Sequence, residues 1–527
     1  MTENDTICAI STPAGCGGIA VVRVSGPQAV EAVGQIWRGK DLATTAARRA
    51  TLGDIVDRQS GETVDTALAM VMRAPGSFTG EDTVELSVHG STWIQRETLR
   101  LLIDAGCRLA QPGEFTRRAF ANGKMDLAEA EAVADVIAST TRESHRIAAQ
   151  QMRGDISRRL GELRAQLVDL SALLELELDF SEEDVEFASR ERLLEIAGNV
   201  KNEVDRLAAS FSMGKAIKEG VPVAIVGNPN AGKSTLINAL LEEDRAIVSD
   251  IPGTTRDTIE DTMQIGGVEF RLIDTAGIRT TDDAIEALGI ERSVKALRRA
   301  RITIAVVDTT APLDQTIAIM RRIEQERAAD TAVIAALNKS DAAGAGGRRA
   351  TDDAGAANRR GEDSESQMLA RADGAGEMQP SPETPGEIAD GQIRHSAPAF
   401  VTTEAGNGVC AIDAHRQAVA DIAPEAAAVE ISALRGTGID HLRQRLLNLT
   451  DLPATNDIVV SNARHYEALV QASASIDRVI AGLTADLAGV LIAEDLRQTL
   501  HHLGEITGQI TTPEILSTIF SRFCIGK

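Results

Sequence analysis

An apolar run, Val223-Ala224-Ile225-Val226, breaks into Gly227-Asn228-Pro229-Asn230-Ala231-Gly232-Lys233-Ser234-Thr235 and then into a helical pattern. The spacing G-x-x-x-x-G-K-S constrains the fold more than any other feature, because it demands a strand, a tight loop and a helix in that order. Gly227 and Gly232 let successive N–H groups turn toward phosphate oxygens. Lys233 can reach the β and γ phosphates, and Ser234 can offer its hydroxyl to magnesium. The expectation is a P-loop domain of the α/β class with a mostly parallel sheet. A Gly-rich turn can match this pattern by chance, so the downstream sequence has to decide.

Downstream come Gly253-Thr254-Thr255-Arg256-Asp257, Asp274-Thr275-Ala276-Gly277, Asn338-Lys339-Ser340-Asp341 and Ser432-Ala433-Leu434, in the order a GTP-binding domain requires. Thr255 can close over the γ phosphate and magnesium from a mobile loop. Asp274, at the end of a strand expected over Phe270 to Ile273, can hold magnesium through water. Asp341 sets base identity: an acceptor-only carboxylate takes both hydrogens from guanine's N1 and exocyclic amine, which adenine cannot supply. The candidate GTP-binding residues are Asn230, Ala231, Gly232, Lys233, Ser234, Thr235, Ser249, Thr254, Thr255, Asp274, Thr275, Ala276, Gly277, Asn338, Lys339, Asp341, Ser432, Ala433 and Leu434. Magnesium falls to Ser234 and Thr255.

With 527 residues, the chain has room for roughly three or four domains. It carries 78 acidic and 54 basic residues, a formal net charge of -24. A broad basic face for nonspecific nucleic-acid binding is thereby excluded, and any RNA would need a local patch or a basic partner. Five cysteines (Cys8, Cys16, Cys107, Cys410, Cys524) form no C-x-x-C pair, which points to a reducing compartment and to no metal cluster. The acidic Met1-Thr2-Glu3-Asn4-Asp5 has no leader character, and the apolar runs are too short to span a bilayer. The chain is expected to be soluble and cytoplasmic.

From Asp5 to about Met125, strand-like runs (Thr6–Ile10, Ile19–Val24, Thr66–Met72, Thr83–Val88) alternate with turns and one helical stretch near Trp93–Ala105. That predicts an α+β domain over 1–124. Arg23, Glu85 and Lys124 sit inside it, and spacing alone reads each as a surface position or ion pair. Leu160, Leu163, Leu167, Leu170, Leu174 and Leu178 then make one apolar stripe, read as a bundle core rather than a partner-binding coiled coil. A further helix is expected from Ser189 to Phe211. Helical periodicity returns over Ile458–Ser521, through Tyr466–Leu483 and Leu491–Leu503. The economical reading is one discontinuous helical domain, 125–218 and 452–527, into which the P-loop domain 219–451 is inserted. Within it, 342–399 is rich in Ala, Gly, Asp, Glu and Pro and is expected to be a disordered insertion.

The residues now in view carry a resemblance. Arg23 with Gly17-Gly18, Phe78-Thr79-Gly80-Glu81-Asp82, Pro112-Gly113-Glu114-Phe115, the P-loop, Gly253–Asp257, Asp274–Gly277 and the terminal Phe523-Cys524-Ile525-Gly526-Lys527 all match one pattern. Over nearly its whole length the chain resembles the MnmE (TrmE) family of tRNA-modifying GTPases. The resemblance implies an N-terminal folate-binding domain that dimerises, and a helical domain carrying an inserted Ras-like GTPase domain. It implies a partner flavoprotein of the MnmG (GidA) family, which alone would hold FAD, in a heterotetramer or larger complex with no membrane. The implied reaction installs an aminomethyl or carboxymethylaminomethyl group on C5 of the wobble uridine of certain tRNAs. The carbon donor would be a tetrahydrofolate derivative, 5-formyl or 5,10-methylene. By resemblance, the folate contacts map onto Arg23, Glu85, Lys124 and Lys527. Ser91 departs from the family pattern, standing where a glycine usually follows His89-Gly90.

Ile278 follows the Asp-x-x-Gly motif where many small GTPases have a water-orienting glutamine, so another group must serve. By family similarity, potassium is held by Asn230, Ser249, Ile251 and Thr254 and promotes pairing of GTPase domains. Glu286 and Arg256 are then the candidate catalytic residues, Glu286 positioning the attacking water. Without the resemblance, Asn230 reads as an ordinary turn residue. Cys524 is a candidate nucleophile toward uridine C6, or it packs the tail so that Lys527 reaches folate. The competing function is a ribosome-assembly GTPase acting as an RNA-binding switch. It would share every nucleotide motif but leave the N-terminal domain and the Cys-Ile-Gly-Lys tail unexplained.

Overall fold

Alternation builds the first sheet. Along Thr63–Met72 the residues Asp65, Ala67, Ala69 and Val71 are buried while their neighbours are not, which fits a strand with one covered face. The computed structural model describes residues 5–179, 189–241, 261–273, 294–343, 411–450, 457–485, 487–521, 523 and 526. The first sheet has the order β3-β4-β5-β6-β2-β1-β7. Its strands are β1 (Ile7–Ile10), β2 (Ile19–Ser25), β3 (Trp37–Gly39), β4 (Ala50–Val56), β5 (Thr63–Met72), β6 (Thr83–His89) and β7 (Arg108–Leu109). All its pairings are antiparallel except β1 with β7. Helices α1 (Ala29–Ile36) and α2 (Thr92–Asp104) cover one face, burying Val33, Ile36 and Leu102 against Val22, Ala69 and Leu86. On the other face α3 (Glu114–Ala121) covers only the β1 end, where Phe115 joins Ile7 and Ala9.

This differs from the single helix expected in the segment. Sequence reading missed α1, β3 and β7, which are short, α3, which buries Glu114 and Thr116, and β4, whose middle residues Gly53 and Asp54 are poor strand formers.

The helical part contains α4 (Leu127–Ala138), α5 (Arg142–Met152), α6 (Asp155–Asp179), α7 (Arg190–Ala209) and α8 (Phe211–Glu219). The leucine stripe of α6 is buried from Leu160 to Leu174, while the side chain of Leu178 lies outside the described residues. It packs with Leu193, Val200 and Val204 of α7 and with Ile476, Val479 and Leu496, which lie more than 270 residues later. Those come from α15 (Ala463–Thr484) and α16 (Gly489–Thr507), so helices on both sides of the second sheet share one core. The helix expected over Ser189–Phe211 is broken: α7 stops at Ala209 and Phe211 opens α8. A last helix, α17 (Pro513–Ser521), was not anticipated as a separate element.

The second sheet runs β13-β12-β11-β8-β10-β9. Its strands are β8 (Val221–Gly227), β9 (Asp261–Ile265), β10 (Val268–Ile273), β11 (Ile302–Asp308), β12 (Ala332–Asn338) and β13 (Ala427–Glu430). Every neighbouring pair is parallel except β9 with β10. Near-continuous apolar strands such as Ile302–Asp308 require cover on both faces. Helices α9 (Lys233–Leu241) and α14 (Ile439–Asn448) cover one face. The other is covered by α10 (residues 294–299), α11 (Leu313–Glu326) and α13 (Ala411–Ile422). The α/β plus α+β plus all-α class expected from sequence is the class observed.

The short helix α12 (Ser340–Ala343) takes in the first two residues of the expected insertion; 344–399 lies outside the described residues. The β9–β10 hairpin docks on the α4–α5 connection. Thr140 Oγ1 donates to Glu269 at 2.8 Å, Gln264 Nε2 to the Thr140 carbonyl at 3.1 Å, and Glu143 N to the Gly267 carbonyl at 3.3 Å. Among the described residues no helix is long and apolar enough to cross a membrane.

Candidate nucleotide and folate sites

The carboxyl ends of β8, β11 and β12 bring the nucleotide candidates together, the edge at which parallel α/β sheets bind ligands. Gly232 has φ +96°, and a Cβ there would lie 2.2 Å from Asn338 Nδ2, so only glycine fits this close approach. Asn230 also has a left-handed backbone, φ +61°, and is exposed. Ser234 and Thr235 occupy the exposed first turn of α9, where N–H groups are unpaired by the helix itself. Lys233 Nζ donates to the carbonyls of Gly227 at 2.9 Å and Asn228 at 2.8 Å, and burial pushes its pKa down.

Asn338, 3% exposed at the end of β12, joins two loops. Its Nδ2 donates to the carbonyl of Ala231 at 2.8 Å, and its Oδ1 accepts from the Ala433 amide at 3.0 Å. Lys339, at φ +64°, reaches Asp308 at 2.6 Å. A hydrogen bond with the Ser432 hydroxyl holds the Asp341 carboxyl below the usual carboxylate range, and Arg435 lies 3.1 Å away. Leu434 projects into solvent, 83% exposed. The arrangement offers backbone N–H groups and an ammonium to a polyphosphate, and a fixed acceptor to a base with two adjacent donors. Asp308 was not anticipated; as a lone acid its only sequence signal was its place at the end of an apolar run. Ser249, Ile251, Thr254, Thr255, Arg256, Asp274, Thr275, Ala276, Gly277 and Glu286 lie outside the described residues.

On the first sheet, Arg23 of β2 and Glu85 of β6 are direct cross-strand partners, with Arg23 Nη2 2.9 Å from Glu85 Oε1. Both project from the face opposite α1 and α2. The Arg23 guanidinium lies 5.5 Å from the Phe78 ring centroid and 5.6 Å from that of Phe115. Lys124 is turned elsewhere, donating to the Pro75 carbonyl at 2.8 Å and lining the Gly80 turn. The two rings were not among the candidate site residues, although both belong to motifs that carried the resemblance. A buried network holds the Phe78 loop. Ser25 bonds Thr79 and Glu81 at 2.7 Å, and Arg118 ties Glu81 to Glu114 and Asp5. The tail returns here: Ser11 Oγ donates to the Gly526 carbonyl at 3.1 Å, and a Cβ on Gly526 would lie 2.1 Å from the Ile10 carbonyl oxygen. Cys524 and Lys527 lie outside the described residues. Ser91, the departure from the family pattern, caps α2 by accepting from the Trp93 amide.

Comparison with known proteins decides the family. A model described as GTP-binding protein TrmE N-terminus matches residues 6–124, and the MnmE helical domain model matches residues 127–524. The chain belongs to the MnmE family. A member from Parabacteroides distasonis named tRNA modification GTPase MnmE is 46% identical, the match covering 99% of this chain and 100% of that one. One of the same name from Christiangramia forsetii is 42% identical with both chains fully covered. As a member of the MnmE family, the chain is a GTPase of tRNA modification. Among solved structures, a GTP-binding protein from Sulfolobus solfataricus in complex with GDP is 15% identical over 55% of this chain and 66% of that one. Its TM-score is 0.24.

Proposed function

We propose that the chain is the GTP-hydrolysing component of a complex that modifies C5 of the wobble uridine (U34) in certain tRNAs. It works in the cytoplasm as a homodimer with an FAD-containing flavoprotein of the MnmG class. The observation that carries the nucleotide part is Asn338, which ties the P-loop to the Ser432–Leu434 turn, the same turn whose Ser432 holds Asp341, and this supports Asp341 as the base acceptor. Magnesium suits Ser234 and Thr255, and potassium suits Asn230 with Ser249, Ile251 and Thr254. The close approach at Gly232, which any Cβ would block, fits a phosphate cradle in which Lys233 leaves its two carbonyls for ligand oxygens.

Residues 1–124 form the folate-binding and dimerisation domain in this reading. Arg23 and Glu85 offer a guanidinium and a carboxylate side by side, with Phe78 and Phe115 as apolar walls, which fits a tetrahydrofolate derivative bearing a pterin and a carboxylate tail. Pairing of two copies is supported by the open sheet face, where the cross-strand partners Leu52 and Leu68 are exposed, as is Ile19 two strands away on β2. The helical domain comprises 125–218 and 452–527, and the GTPase domain 219–451.

Two measurements test the reading. Asp341→Asn replaces an acceptor with a donor and should move preference from guanosine to xanthosine nucleotides; unchanged GTP affinity would refute the base assignment. Mass analysis of wobble nucleosides from a deletion strain should show loss of the C5 modification. Intact nucleosides together with a ribosome-assembly defect would favour the competing switch.

A further inference from the structure

Among the acidic excess of this chain, one surface runs the other way. On α10, Ala296 and Leu297 point into the core while Lys295, Arg298 and Arg299 share the exposed face at helical spacing. On α11, Thr316, Ile319, Met320 and Ile323 are buried, leaving Arg321 exposed and Arg322 at the margin. The two helices share a core cluster, and Arg298 reaches Glu326 at 2.8 Å. Arg322 lies one turn before Glu326 and therefore flanks α10. Of the acids near this end of α11, Glu326 is engaged by Arg298 and Glu324 by Arg327, and the exposed Asp330 follows in the turn before β12. Arg299, Arg321 and Arg322 form no ion pair with any described residue.

The patch lies at the opposite edge of the sheet from the P-loop. Arg301, next to α10, pairs its amide with the Pro222 carbonyl at the start of β8, whereas Gly227 ends that strand, roughly 17 Å away at about 3.3 Å per residue. A ligand here does not compete with GTP for space. The exposed positions on α10 are all cationic and offer no apolar or aromatic anchor, the feature that dominates protein–protein hot spots. Arginine forks instead match phosphate oxygens. The negative charge elsewhere does not cancel the patch, because exposed charges are screened beyond about 8 Å at physiological ionic strength.

We propose that the exposed faces of α10 and α11 dock the phosphate backbone of the tRNA substrate. This rests on the reading of tRNA as substrate, and it supplies a local attraction on a chain of net charge -24. The test is fluorescence anisotropy of labelled, unmodified tRNA with the full chain between 50 and 200 mM salt, ~two decades in protein concentration at each step. For the triple variant Arg299→Gln/Arg321→Gln/Arg322→Gln, affinity should fall about tenfold or more at low salt, and the slope of log K against log salt should shrink by about two to three. Arg49→Gln/Arg96→Gln, on the first domain, should leave both unchanged, and thermal melting confirms that the triple variant folds. Equal affinity and slope in wild type and triple variant would overturn the proposal. So would wild-type chain that fails to bind tRNA at low salt, or a triple variant that keeps tRNA and loses the flavoprotein. The wobble-nucleoside analysis fails separately: modification lost on deletion but tRNA binding unmoved by the triple variant sinks the docking surface and spares the function.

Discussion

Asn338 donates its side-chain amide to the Ala231 carbonyl at 2.8 Å while the Ala433 amide donates to its other end, so one buried residue sets the distance between phosphate loop and base loop. Removing it leaves a buried carbonyl and a buried N–H without partners, at about 1–3 kcal/mol each. Asn338→Asp is the sharper variant, because it keeps the bond from Ala433 and turns the contact with Ala231 into repulsion between two acceptors. Titration with a fluorescent GDP analogue should show affinity reduced about tenfold to a hundredfold for Asn338→Asp. Wild-type affinity would mean that the two loops are held together by something else.

A second relationship sets acid stability. Burial raises the pKa of Glu131 on α4, but contacts with His465 and Arg464 of α15 outweigh it and pull the carboxyl down to about 2. A carboxylate whose pKa is depressed in the folded state stabilises the fold above its unfolded value of 4.5, and that contribution is lost as pH falls toward 2. The shift corresponds to about 3 kcal/mol. Denaturant melts should therefore lose stability progressively between about pH 4.5 and 2 in wild type, and Glu131→Gln should be weaker at neutral pH with a flatter acid limb. Parallel acid limbs would show that other carboxylates dominate.

The Arg23–Glu85 pair makes a different forecast, since either single change strands a charged partner on the open sheet face. Arg23→Ala should weaken tetrahydrofolate binding by the full chain about tenfold or more in calorimetry. Arg23→Lys should fail to restore it, because an ammonium cannot present the planar fork that lies within 5.6 Å of both the Phe78 and Phe115 ring centroids. GTP affinity should not move. Folate binding that survives Arg23→Ala would place the donor elsewhere.

What the sequence disclosed followed from how local each signal was. The β8 strand, its loop and α9 are specified by residues within one window, and the α6 stripe repeats over several turns, so both were readable. Helix α3 was not, because its inward positions include the polar Glu114 and Thr116; Glu114 is buried by pairing with Arg118 one turn on and with Arg108 of β7, a partner that local periodicity does not reveal. Strand β7 is two residues long and exists only because β1 lies beside it. The same distinction holds at the sites. The nucleotide motifs announce themselves by spacing, whereas Phe78 reaches Arg23 only after the Ser77–Asp82 loop is tied down by Ser25 and Arg118, and Phe115 only once α3 packs on β1.

The last forecast concerns hydrolysis. Ile278 stands in place of the usual glutamine, so neither water orientation nor neutralisation of the charge developing between the β and γ phosphates is supplied by that route. Asn230 takes a left-handed backbone, a conformation asparagine tolerates, and lies exposed within the phosphate loop, with a side-chain oxygen of the kind that can ligate a monovalent cation. An ordinary turn would look the same, and the choice of salt separates the two. If Asn230 helps hold potassium, GTP hydrolysis at matched ionic strength and saturating magnesium should be much faster in potassium than in sodium, about tenfold or more, the scale of losing one transition-state charge contact. Asn230→Ala should erase the difference, and Glu286→Ala should slow turnover in potassium while GTP still binds. Equal wild-type rates in the two salts would leave Asn230 as a turn residue and require the positive charge to come from a side chain such as Arg256.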